Sequence, residues 1–140
     1  MEDDEAVRLR RAVNKLARKF NASATDEGLT PSQASALGVI AGLGPVSLAD
    51  VSRREHLNPS MMSRVVGRLA ELGLIVRTPD PDDLRAVTLQ ATSAGRAVQE
   101  RIKVQRASDI KRAAERLDAD QYANLLKALP ALEELVSFLD

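Results

Sequence analysis

Between Asn58 and Leu69 the chain gathers the residue types best suited to meeting a partner. Met62, Val66 and Leu69 fall at i, i+4 and i+7, which predicts a helix with an inward apolar stripe and Val65 at its edge. Ser60, Met61, Ser63, Arg64, Gly67 and Arg68 then point outward. The chemistry open to such a face is non-covalent. Short hydroxyls near a helix N-terminus lie beside backbone N–H groups that attract phosphate. Arg64 can reach a guanine edge or a phosphate, and Arg68, one turn later, is better placed for phosphate. Little else in the chain suggests chemistry. There is no Cys, which excludes disulfides and thiolate reactions, and a single histidine, His56, cannot make a standard zinc site. Asp82-Asp83 and Glu133-Glu134 read as solvated charge. No glycine-rich phosphate loop or nucleophile triad is present, so no enzyme activity and no cofactor are expected.

The elements that must position this face are legible on both sides of it. A short helix from Ser47 to about Arg54 opens with Ser-x-x-Asp, in which Ser47 and Asp50 can cap each other. The next helix opens with Asn58 as cap and Pro59 at its first position, and stops at Gly73. Two helices joined by about three residues, the second carrying exposed Ser and Arg, form a helix-turn-helix reader of DNA. Leu74-Ile75-Val76 and Val87-Thr88-Leu89 are β-rich runs around a Pro/Asp loop, a hairpin that makes the unit a winged helix. Val46 is expected to add a very short strand to it.

The rest of the chain is helical by pattern. Leu9, Val13, Leu16 and Phe20 place an apolar stripe on a helix over residues 6–22, with Arg8, Arg11, Lys15, Arg18 and Lys19 opposite, as a solvated face or a contact surface. Residues 21–29 read as a polar connection. Thr30, Pro31 and Gln33 announce a helix whose buried face is Leu37, Ile40 and Leu43. Thr92 caps a long helix to about Leu117, with Val98, Ile102, Ile110, Ala113 and Leu117 on its apolar side. Asp118 caps a last helix in which Pro130 should cause a kink or a split. The expected class is mainly α with a small β-hairpin wing. Residues 1–140 read as one domain, with a DNA-binding lobe over 30–91. The helices over 6–22 and 93–139 carry more apolar stripe than a domain of that size covers. Burial against a second copy is the simplest outlet, and a layer packed on its own domain is the other.

Composition bounds the partners. The 140 residues hold 20 basic and 20 acidic side chains, a formal net charge of zero. Nucleic-acid binding would then rest on few, well-placed contacts, and the same neutrality favours an alternative: a winged helix used only for protein–protein assembly. No apolar run reaches the length of a membrane span, and the acidic start is unlike a signal peptide, so a cytoplasmic protein with no membrane partner is expected.

Leu57 to Leu69, then Gly73-Leu74-Ile75, Asp80-Pro81-x-Asp83-x-Arg85 and Thr92-x-x-Gly95, with Leu29-Thr30-Pro31-x-Gln33 upstream, resemble the MarR family of bacterial transcription regulators in order and spacing. The resemblance covers nearly the whole chain. It implies a homodimer on a palindromic double-stranded DNA operator, built from the N- and C-terminal helices, and a repressor role. It also implies that Arg85 enters the minor groove while Asp83 orients it, where a narrow groove concentrates negative potential; a surface salt bridge pinning the loop is the other reading. Met61 stands where the family often has a small polar residue. It either packs on a thymine methyl or lies under the preceding helix. Gly67 replaces a commonly acidic residue, and Leu84 a commonly polar one. Family members commonly respond to small aromatic or phenolic molecules or to cysteine oxidation. Without Cys, the resemblance leaves a small aromatic or amphipathic acid ligand, or none. The expected pocket lies where the first helix, the helix from Thr30 and the start of the long helix after Thr92 meet.

Overall fold

The computed structural model describes residues 1–83 and 86–139. Seven helices and three strands run in the order α1 (Asp3–Phe20), α2 (Ala22–Asp26), α3 (Pro31–Leu43), β1 (Val46–Ser47), α4 (Leu48–Arg54), α5 (Pro59–Glu71), β2 (Ile75–Pro79), β3 (Val87–Ala91), α6 (Ser93–Ala114) and α7 (Ala119–Ser137) among those residues. One compact unit spans Met1–Gln105; a second holds the described residues from Arg106 onward.

The helix starts follow their capping residues. Thr30 Oγ1 accepts from the Gln33 N–H at 3.2 Å while the Gln33 side chain accepts from the Thr30 N–H at 3.0 Å, which fixes the start of α3. Asn58 accepts from the Met61 N–H at 2.8 Å, with Pro59 at the first position of α5. Asp118 does the same for α7 through Gln121. At α4 only half of the expected box forms. Ser47 accepts from the Asp50 N–H at 3.1 Å, but the Asp50 carboxylate pairs with Arg53, one turn on, instead of reaching back.

The first unit is built around the wing sheet and α5. The sheet order is β1-β3-β2, antiparallel throughout, with Val46 beside Leu89 and Ile75 beside Ala91. Val46 therefore does join the hairpin, and the hairpin strands extend further than the β-rich runs suggested. Leu37 and Ile40 of α3, Val51 of α4, Met62, Val66 and Leu69 of α5, and Ile75 and Leu89 of the sheet close one core, with Val98 and Ile102 of α6 packed into it. Fully burying a side chain the size of Met62 or Leu69 contributes about 1.5–3 kcal/mol, so α5 is held by its inward stripe and leaves its outward face free.

Two expectations fail. Residues 21–29 are more than a connection, since α2 forms there. A five-residue helix offers too few positions to show a period. Leu43 is exposed, because α3 ends at it and Gly44 turns the chain away. Pro130 does not split the last helix: α7 runs through it to Ser137. In the terminal helices the apolar stripes are present but uncovered. No residue of α1 or α7 is buried, and Ile110 and Leu117 are exposed as well. Among the described residues, no helix is long and apolar enough to cross a membrane.

Candidate nucleic-acid interface

α4 and α5 are joined by the short turn expected from the sequence. α4 ends at Arg54, and His56 adopts a left-handed backbone, φ 52°. The His56 N–H donates to the Arg53 carbonyl at 3.2 Å and the Leu57 N–H to the Ser52 carbonyl at 3.1 Å, which closes the helix and sends the chain straight to the Asn58 cap. His56 is thus a backbone turn residue whose side chain stays exposed. The left-handed form costs a residue with a Cβ about 1–2 kcal/mol.

On α5 the inward stripe is as expected: Met62, Val66 and Leu69 are buried, and Val65 is half-buried at the edge. Ser60, Met61, Ser63, Arg64 and Arg68 are all exposed. Met61 is 50% exposed. The Arg64 side chain makes no hydrogen bond or ion pair with any described residue, and its guanidinium is open to an incoming group. Arg68 lies 3.3 Å from Glu71, a solvent-exposed pair of the kind worth little in water, which a phosphate can outbid. Among the described residues, no atom outside the local helix backbone lies within 4 Å of where a Gly67 Cβ would stand, so packing among them does not require glycine there.

The wing is braced at its tip. The Asp80 carboxylate accepts from the Asp82 N–H at 2.8 Å, the Asp80 N–H donates to the Ala86 carbonyl at 3.0 Å, and the Ala86 N–H donates to the Asp83 carbonyl at 2.9 Å. Asp83 is exposed at this tip. Arg85 and Leu84 lie outside the described residues. Two exposed cations were missed in the sequence. Arg77 lies in β2, which continues past Val76 to Pro79, and Arg54 ends α4 beside the helix-turn-helix turn; neither side chain has a partner among the described residues. For Arg77 the signal is its place directly after the β-prone run Leu74-Ile75-Val76, which the strand outlasts.

Away from this face, a groove of about 560 Å³ runs between α2 and α6 and is lined by Ser23, Asp26, Glu27, Glu100, Arg101 and Val104 among others. Neither α1 nor α3 lines it, unlike the pocket expected from sequence. Arg101 grips Glu27 with two hydrogen bonds, 2.8 and 3.0 Å. Those bonds, with the guanidinium charge, hold the Glu27 carboxyl below its ordinary range against a smaller opposing effect of burial. With Arg101 occupied and Asp26 and Glu100 nearby, the groove does not favour a carboxylate ligand.

Comparison with known proteins decides the family. Residues 27–86 match the model described as MarR family. A protein of Thauera aromatica, named as transcriptional regulatory protein for its hcr operon, is 33% identical over 129 residues, covering 91% of this chain and 73% of its own. The chain belongs to the MarR family of transcription regulators. An HTH-type transcriptional regulator of Mycobacterium leprae is 33% identical over 84 residues, 60% of this chain; that match spans 59% of the relative's length. The crystal structure of RV1404 from Mycobacterium tuberculosis superposes with a TM-score of 0.79 at 29% identity, covering 96% of this chain and 94% of that one. The MarR winged helix-turn-helix is therefore the fold seen here, α4 and α5 forming its helix-turn-helix and β2–β3 its wing. The family is one of regulators, not enzymes.

Proposed function

We propose that the protein is a cytoplasmic DNA-binding transcription regulator that reads a palindromic operator as a homodimer. The observation that carries this is the outward face of α5: Ser60, Met61, Ser63 and Arg64 stand exposed on a helix whose other face is locked into the core, and the Arg64 guanidinium is unclaimed. In this reading α5 lies in the major groove, with Arg64 reading a base edge, Met61 against a thymine methyl, and Ser60, Ser63 and Arg68 on phosphate. Arg77 and Arg54 add phosphate contacts from the wing and the turn. Arg85 enters the minor groove, oriented by Asp83.

The second copy covers the exposed apolar side chains of the terminal helices. Val13, Leu16, Leu125, Leu126, Leu129 and Val136 are each more than a third exposed in the single chain, and apolar surface on that scale marks a contact site. A dimer seated across about two turns of duplex excludes other proteins from that segment, so occupancy acts as repression. A small organic ligand that prefers the DNA-free arrangement would release it. The α2–α6 groove suits a neutral or cationic amphipathic molecule better than an acid.

A mobility-shift assay with mixed genomic fragments at two salt concentrations tests the reading. A subset of fragments should remain bound at the higher salt. Binding that vanishes equally for all fragments would leave the protein–protein assembly module, favoured by the zero net charge, as the better account.

A further inference from the structure

The recognition helix ends in a joint made by none of its outward residues. α5 closes with Gly73 in the left-handed region, φ 73°. The Gly73 N–H donates to the Ala70 carbonyl at 3.0 Å and the Leu74 N–H to the Leu69 carbonyl at 3.0 Å, the double bond pattern that closes a helix on itself. The carbonyls of the next two residues are both taken by Thr92. Its hydroxyl donates to Gly73 O at 2.6 Å and its N–H donates to Leu74 O at 3.0 Å. The same hydroxyl accepts from the Gly95 N–H at 3.0 Å, which caps α6. One threonine therefore starts α6 and holds the end of α5.

Gly95 makes the joint tight. A Cβ at this position would stand 1.9 Å from the Leu74 carbonyl oxygen and 2.9 Å from its carbon. Both atoms are backbone, and the Leu74 oxygen already accepts from Thr92, so the neighbour cannot turn aside as a side chain would. Ala91, immediately before Thr92, pairs with Ile75 across the sheet. The end of α5, the base of the wing and the first turn of α6 are thus fastened at one point.

We propose that Thr92 and Gly95 are positioning residues for DNA binding, fastening the end of the recognition helix to the first turn of α6 so that the dimer presents its two recognition helices at a set spacing. This rests on the DNA-binding reading above. A dimer discriminates half-site spacing only if each reading helix is held toward the helices carrying the dimer contact, and in this reading the chain passes from the joint through α6 to α7, which carries part of that contact. Neither Thr92 nor Gly95 belongs to the outward face of α5, so their effect on DNA is indirect.

The test uses the full-length protein, an operator selected by the wild type, and versions of it with half-sites one base pair closer or further apart. Thr92→Val keeps the shape and removes the hydroxyl; Thr92→Ser keeps the hydroxyl. With all proteins shown folded at the assay temperature, Thr92→Val should bind the selected operator about tenfold more weakly, the loss of a net hydrogen bond or two. Its penalty for altered spacing should shrink, its non-specific binding should hold, and Thr92→Ser should restore the wild-type pattern. Gly95→Ala should behave like Thr92→Val or fail to fold. Should Thr92→Val itself not fold, hydrogen exchange on the wild type decides: the Thr92, Gly95 and Leu74 amides should open together and remain protected longer than those of the wing tip. A folded Thr92→Val with wild-type affinity and spacing penalty overturns the proposal, as does independent opening of those amides. A wild type that selects no operator at all removes the DNA-binding reading, and the proposal with it.

Discussion

The Arg101 guanidinium holds the Glu27 carboxylate at two points, 2.8 and 3.0 Å, across seventy-four residues of sequence, and so ties the loop after α2 to the middle of α6. Glu27 titrates below the ordinary glutamate range because its charged form is bonded. The stabilisation is therefore present above the unfolded carboxylate pKa and is lost as pH falls through the lower folded value. NMR titration should find Glu27 changing below the ordinary glutamate range, and Arg101→Gln should bring it back into that range. A wild-type Glu27 that titrates in the ordinary glutamate range would show that the pair does not hold in solution.

Substituting His56 by glycine should stabilise the protein. The gain from relieving a left-handed Cβ, about 1–2 kcal/mol, exceeds the entropy that glycine adds to the unfolded chain, about 0.5–1 kcal/mol. The net expectation is a gain of roughly 0.5–1 kcal/mol, read as a raised thermal midpoint. Gly73→Ala, at φ 73°, should move it the other way by about 1 kcal/mol. A His56→Gly protein less stable than the parent would mean that the imidazole makes a contact the turn geometry does not reveal.

Much of this architecture was readable because it rests on local rules. Thr30, Asn58, Thr92 and Asp118 cap helices through side chains within three residues of the N–H they satisfy, and a spacing of three is visible in any sequence. The Met62–Val66–Leu69 stripe is visible for the same reason. What escaped is decided elsewhere. α2 is too short for a period. Leu43 has the right phase but lies where Gly44 ends the helix. Asp50 had two partners within reach, and Arg53 won. The second task of Thr92, holding Gly73 nineteen residues away, has no local signature.

Arg64→Ala should weaken operator binding by about 1–3 kcal/mol and relax preference at one position per half-site, because it removes a base contact and leaves the phosphate contacts. Arg77→Ala should weaken all sequences alike and lower the salt dependence by about one counterion. Arg85→Ala should chiefly blunt the preference for A·T-rich flanks. Quantitative shift assays across a salt series separate the three, and identical effects from all of them would argue against distinct groove assignments.

Removing residues 119–140 removes the exposed apolar stripe of Leu125, Leu126 and Leu129. Sedimentation of the truncated chain should show monomers or aggregates, with loss of specific DNA binding. A truncated protein that sediments as a dimer and binds its operator normally would place the dimer contact elsewhere.

The most direct measurement is selection of bound duplexes from a random library by the purified full-length protein at moderate salt, followed by sizing of the complex. The expected result is a two-fold symmetric site whose half-sites lie about 34 Å apart, one helical turn, occupied by two chains. Failure to enrich any sequence, or enrichment of an asymmetric site bound by one chain, would contradict a dimeric reader that presents α5 to the major groove.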